Sequence, residues 1–100
     1  MTEEGKLKAQ IRAYLKTVEG LWFCHVAGSG YGRAGVPDYL LCYRGRFVAL
    51  EVKAPGGQPS AWQKREIDAI NSCNGDAFVV RSVGDVEEAL KRIAFQNNFF

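Results

Sequence analysis

Gly35-Val36-Pro37-Asp38, followed after twelve residues by Glu51-Val52-Lys53, is the stretch that decides the fold. Glu51 and Lys53 close the apolar run Phe47-Val48-Ala49-Leu50, which reads as a strand over Phe47–Val52. Two residues apart on a strand, their side chains leave one face roughly 6–7 Å apart. Tyr39–Tyr43 reads as a neighbouring strand, joined through Arg44-Gly45 in a hairpin-like connection. Pairing Tyr43 with Phe47 or its neighbour makes partner numbers sum to about 89–90, which sets Asp38 opposite residues 51–52. Pro37 removes a backbone donor at the point where that strand begins. Parity alone thus gathers two carboxylates and an ammonium at one end of a hairpin.

On the N-terminal side, Leu7, Ile11, Tyr14, Leu15 and Val18 follow one face of a helix from Glu3 to Val18, stopped by Gly20. Leu21–Val26 reads as a strand, and Ala27–Gly35, with four glycines, as a loop. On the C-terminal side, Ala54–Pro59 is a second loop. Ser60 begins a helix and Gln63 completes a capping box. Trp62, Ile67, Ile70 and Cys73 form that helix's apolar side, and Asn74-Gly75 stops it. Ala77–Val80 is a further strand, and Asp85 caps a last helix that turns Val86, Leu90 and Ile93 inward. The order α-β-β-β-α-β-α describes an α/β layer structure in one domain over residues 1–100.

Composition matches an ordinary globular domain, with 47% hydrophobic and 24% charged residues. The net charge of +2, from 13 Lys+Arg against 11 Asp+Glu, does not by itself announce a nucleic-acid binder. Cys24, Cys42 and Cys73 are widely spaced, contain no CxxC pair, and read as reduced thiols acting as small hydrophobes. The polar, acidic N-terminus is no signal peptide, and no apolar run approaches the roughly 18 residues of a membrane span. A soluble cytoplasmic protein without membrane partners is the expectation.

Asp38, Glu51 and the Val52 carbonyl make a hard, oxygen-rich set suited to Mg²⁺ or Mn²⁺. A metal there polarises a phosphate and activates water, and Lys53 beside it orients that water or meets developing charge. An isolated Glu-x-Lys would read as the solvent face of a hairpin; Gly-Val-Pro-Asp at hairpin spacing is what favours a site.

Gly35-Val36-Pro37-Asp38, Glu51-Val52-Lys53 and Gln63 together resemble the PD-(D/E)XK nuclease superfamily, and more closely its VRR-NUC family of virus-type replication-repair nucleases. Arg46–Gly57 is the most specific part, and the similarity spans nearly the whole chain. The chain is similar to the stand-alone phage and bacterial members. The resemblance implies a restriction-endonuclease-like αβββαβ core, with a central mixed sheet flanked by helices, plus a C-terminal helix. It implies a Mg²⁺- or Mn²⁺-dependent DNA endonuclease in which Asp38, Glu51 and the Val52 carbonyl hold the metal and Lys53 is catalytic. It further implies branched or junction DNA as substrate and a homodimer able to cut a four-way junction on opposing strands. The alternatives are a flap- or restriction-like nuclease and a catalytically silent DNA-binding module.

The family also carries an acid on its first helix, and Glu4 fits best, sharing a face with Ile11 and Leu15. The alternative for Glu4 is a first-turn acid against the helix dipole. Gln63 has two claims on one amide: the Ser60 cap, and a place near the catalytic centre. Gly30-Tyr31-Gly32-Arg33-Ala34-Gly35 matches G-x-G-x-x-G, but a strand rather than a helix follows, so it is no dinucleotide loop. Tyr31 and Arg33 either contact DNA phosphate or sit in a plain connector. Lys6, Lys8, Arg12 and Lys16 are either a solvated helix face or a phosphate-binding surface, with Lys8 and Arg12 the leading DNA contacts. His25 reads as a core or edge histidine, and Trp22 and Trp62 as packing residues. Asn97-Asn98-Phe99-Phe100 has no evident core role and is available to a second subunit.

Overall fold

The computed structural model describes residues 1–27 and 32–99. Its elements follow the expected order: α1 (Glu3–Leu15), β1 (Leu21–His25), β2 (Tyr39–Tyr43), β3 (Arg46–Val52), α2 (Ala61–Ser72), β4 (Asp76–Val80) and α3 (Val83–Gln96). The strands form a mixed sheet in the order β1-β2-β3-β4, antiparallel except for the parallel pair β3–β4. This is a restriction-endonuclease-like α/β core. No helix among the described residues is long and apolar enough to cross a membrane.

The hairpin turn sets the register. Arg44 and Gly45 both take positive φ, +48° and +89°, so Tyr43 pairs with Arg46 and every β2–β3 partner pair sums to 89. Carried one residue beyond Tyr39 and Leu50, that register sets Asp38 across from Glu51.

Alternation along the strands sends Tyr39, Leu41 and Tyr43 of β2, Val48, Leu50 and Val52 of β3, and Val80 of β4 to one face. Ile11 and Leu15 of α1 and Val86, Leu90 and Ile93 of α3 close over them as the core. Glu51 leaves the opposite face, toward α2.

Several local expectations need correction. Helix α1 ends at Leu15 rather than near Gly20; Thr17 and Val18 donate to Tyr14 and Leu15 carbonyls in tighter turns that still pack Val18 on the core. Ser82, not Asp85, caps α3: its Oγ accepts the Asp85 N–H, and the Asp85 carboxylate takes the Arg81 N–H. On α2 the inward row is Gln63, Glu66, Ile67 and Ile70, with Glu66 buried. Trp62 therefore lies outward, 58% exposed with the Arg65 guanidinium over its ring, and Cys73 is exposed too. Trp22 is 63% exposed on edge strand β1, so neither tryptophan is a core residue. Cys42 is also exposed. Phe99 packs edge-on against Tyr43, giving the C-terminus a role within the chain; Phe100 lies outside the described residues.

Gly35 fixes how the loop before β2 meets α2. Its φ is +80°, and an added Cβ would sit 2.4 Å from the Trp62 carbonyl oxygen. Gly45 has a similar φ but open space around it. Gly45→Ala is expected to cost roughly 1–2 kcal/mol, the left-handed backbone strain alone, and Gly35→Ala to cost at least twice as much. Urea unfolding of the two variants checks the difference; equal losses would show that the Gly35 contact carries no weight.

Candidate active site

The expected residues converge where β2 begins and β3 ends. Asp38 Oδ2 accepts the Val52 N–H at 2.8 Å, so a side chain extends the β2–β3 ladder by one bond. The backbone cannot do this in full. The register makes Pro37 the partner of Val52, and proline has no N–H to offer the Val52 carbonyl. A strand residue's N–H and C=O leave the same edge. The Val52 carbonyl therefore points to the Asp38 side with no ladder donor opposite it.

Glu51 is 2% exposed. Its Oε2 accepts from Gln63 Nε2 at 3.2 Å and lies 3.5 Å from Lys53 Nζ. Its Oε1 is buried without a hydrogen-bond partner among the described residues. Gln63 meets both claims made on it: Oε1 accepts the Ser60 N–H at 2.8 Å to close the capping box, while Nε2 turns to Glu51. The cap that starts α2 thereby aims the amide at the buried carboxylate.

Lys8, read as part of a solvated face or of a phosphate-binding surface, instead turns to the acids: its Nζ lies 3.2 Å from Asp38 Oδ1 and 3.5 Å from Glu4 Oε2. The buried Tyr39 hydroxyl, donating to the Lys8 carbonyl at 3.1 Å, ties this turn of α1 to β2. Glu4 reaches Asp38 only through Lys8. Among the described residues no three His, Cys, Asp or Glu side chains cluster as a metal cage. Arg12 is exposed on α1. Arg33 donates through Nε to the buried Glu66 on α2, which binds the loop before β2 to that helix. Tyr31 lies outside the described residues. Sequence reading missed three features: the Val52 N–H, Lys8 at the site, and Glu66. Two had signals, since Lys8 stands four residues after Glu4 and Glu66 three after Gln63, each on a shared helical face.

No protein-family model matches the sequence, and no curated protein does. Solved structures do. A structure described as a VRR-NUC domain superposes with a TM-score of 0.75 at 26% identity, over 91% of this chain and 97% of that one. A second, described as a VRR-NUC domain protein, gives 0.74 at 15% identity, over 93% and 88%, which bears on fold alone. By fold, the chain is similar to VRR-NUC domains.

In this chain the donor set fits a hard divalent cation. It offers two carboxylates and a carbonyl, all oxygen, and one carboxylate oxygen is buried and unpartnered. Two acids suffice for Mg²⁺, which keeps waters and takes substrate phosphate as further ligands. Burial first, and the charge of Asp38 second, push the Glu51 carboxyl up to about 7, against a pull downward from Lys53. Burial draws the Lys8 ammonium down, but Asp38 and Glu4 outweigh it and leave its pKa raised.

A carboxyl with a raised folded-state pKa stabilises the fold while protonated. In the metal-free protein, the Glu51 contribution is complete below pH 4.5 and is lost as pH rises through about 7. The loss is on the order of 3 kcal/mol. Thermal unfolding in EDTA is expected to show a Tm that falls across this window, and Glu51→Gln to flatten the fall. A wild-type Tm that rises across it would contradict the burial argument.

Proposed function

We propose that this chain is a divalent-metal-dependent endonuclease that hydrolyses phosphodiester bonds in branched DNA. The observation that carries the reading is Glu51: a carboxylate buried beside Asp38 and Lys53, with one oxygen left without a partner. A charge so placed is costly unless a cation or proton meets it. Asp38, Glu51 and the Val52 carbonyl are the residues that would hold Mg²⁺ or Mn²⁺. Such an ion would supply Lewis acidity toward the phosphate and lower the pKa of water. Asp38 is oriented for this by the Val52 N–H and Glu51 by the Gln63 amide. Lys53, held against Glu51, orients the attacking water or stabilises charge on the phosphate as the bond breaks. Gln63 is a positioning residue.

A four-way junction is the substrate that suits a symmetric homodimer, whose dyad would bring two sites to opposing strands. An unpartnered sheet face supports the dimer. Trp22, Cys42 and Phe47 share the face of β1–β3 that α2 leaves open, with Trp22 63% and Phe47 46% exposed. An adjoining apolar cavity of about 470 Å³ is lined by Val36, Pro37, Leu40, Phe47 and Ile70.

Labelled four-way junction, flap and linear duplex DNA, incubated with Mg²⁺, Mn²⁺ or EDTA, test the proposal. Paired symmetric nicks in the junction are expected, abolished by EDTA and slowed at least ~100-fold by Lys53→Met, the scale of removing one charge-stabilising donor. No cleavage of any substrate with either metal would overturn the reading. Cleavage without junction preference would overturn only its substrate.

A further inference from the structure

Helix α1 and the end of β1 enclose a groove of about 440 Å³, lined by Lys8, Arg12 and Lys16 on one wall and His25 and Tyr39 on the other. We infer that this groove is a phosphate track that carries one DNA strand away from Asp38. The inference rests on the nuclease reading and adds a path for the substrate to it.

Lys8, Arg12 and Lys16 recur every four residues, so they stand in a row on one helical face. Each step rises about 6 Å along the axis, making a basic row about 12 Å long. A duplex strand carries one negative charge per roughly 3.4 Å of axis, so this row spans about three to four phosphates. Ala9 and Ala13 also line the groove, and their short side chains leave room for a backbone beside the cations. His25, exposed at the end of β1 with its ring 5.2 Å from that of Tyr39, adds a donor to the opposite wall. The groove opens into the catalytic centre, because Lys8 lines it and touches Asp38. Glu4 and Asp38 both face Lys8, so the unpaired positive charge of the row lies at Arg12 and Lys16. Among the described residues neither Arg12 nor Lys16 forms an ion pair, so both charges are available to phosphate.

The test is fluorescence anisotropy of a labelled duplex in Ca²⁺, with the dissociation constant followed against KCl concentration. Each lost phosphate contact lowers the log–log salt slope by about 0.9, so Arg12→Ala/Lys16→Ala is expected to lower it by about 1.8. Lys91→Ala/Arg92→Ala removes the same charge from α3, outside the groove, and is expected to keep the wild-type slope. Arg12→Glu/Lys16→Glu should weaken binding further, with circular dichroism confirming that each variant is folded. A wild-type slope in the Arg12/Lys16 variant, or an equal drop in the α3 variant, overturns the track and leaves the nuclease reading standing. Wild-type protein that binds no DNA in Ca²⁺ overturns both.

Discussion

Asp38 Oδ2 and the Val52 N–H, 2.8 Å apart, join a side chain to a strand where the backbone ladder runs out. Pro37 ends the ladder because it cannot donate, and Asp38 takes over the bond that the backbone would otherwise make. This one contact fixes the carboxylate of β2 relative to β3. It also leaves the Val52 carbonyl on the same edge without a ladder donor. Glu51 stands across the register from Asp38, and burial there presses the two acids together, with Lys8 offsetting Asp38 and with Lys53 and Gln63 offsetting Glu51. The arrangement is costly while Glu51 is ionised, and the proposed cation would offset that cost.

The remaining architecture holds that corner in place from both faces of the sheet. On one side α1 packs through Ile11 and Leu15, and the Tyr39 hydroxyl grips its Lys8 carbonyl. On the other, the capping box of α2 presents Gln63 to Glu51, while Gly35 and the Arg33–Glu66 pair bind the preceding loop to the same helix. Asp38 sits between these two supports. Displacing either helix would loosen the carboxylate pair, which is why cap and turn residues far from chemical reactivity bear on the site.

Much of this was legible in the residues. The hairpin signal at Arg44-Gly45 and strict alternation fixed the register to within one residue, and the mixed sheet with its helices followed the expected order. The VRR-NUC resemblance agrees with the structural neighbours. Periodicity failed where a polar partner chose the helix face. On α2, Glu51 and Arg33 draw Gln63 and Glu66 inward and turn Trp62 out, against the apolar pattern. On α1, Asp38 draws Lys8 into the site although its neighbours Arg12 and Lys16 stay outside. Both departures depend on contacts distant in sequence, and a helical wheel contains no information about them. The exchange of Asp85 for Ser82 as the α3 cap is different, since both are good caps and only the Arg81 N–H decides between them.

In the proposed nuclease, burial keeps Glu51 partly protonated near pH 7, and a bound cation would displace that proton. Calorimetric titration of Ca²⁺ into the protein at pH 7, in two buffers of different ionisation enthalpy, measures this directly. Binding is expected to release about half a proton per site, since Glu51 titrates near 7, and Glu51→Gln is expected to abolish the release and weaken binding. Tight Ca²⁺ binding with no proton release, or binding unchanged in Glu51→Gln, would contradict it.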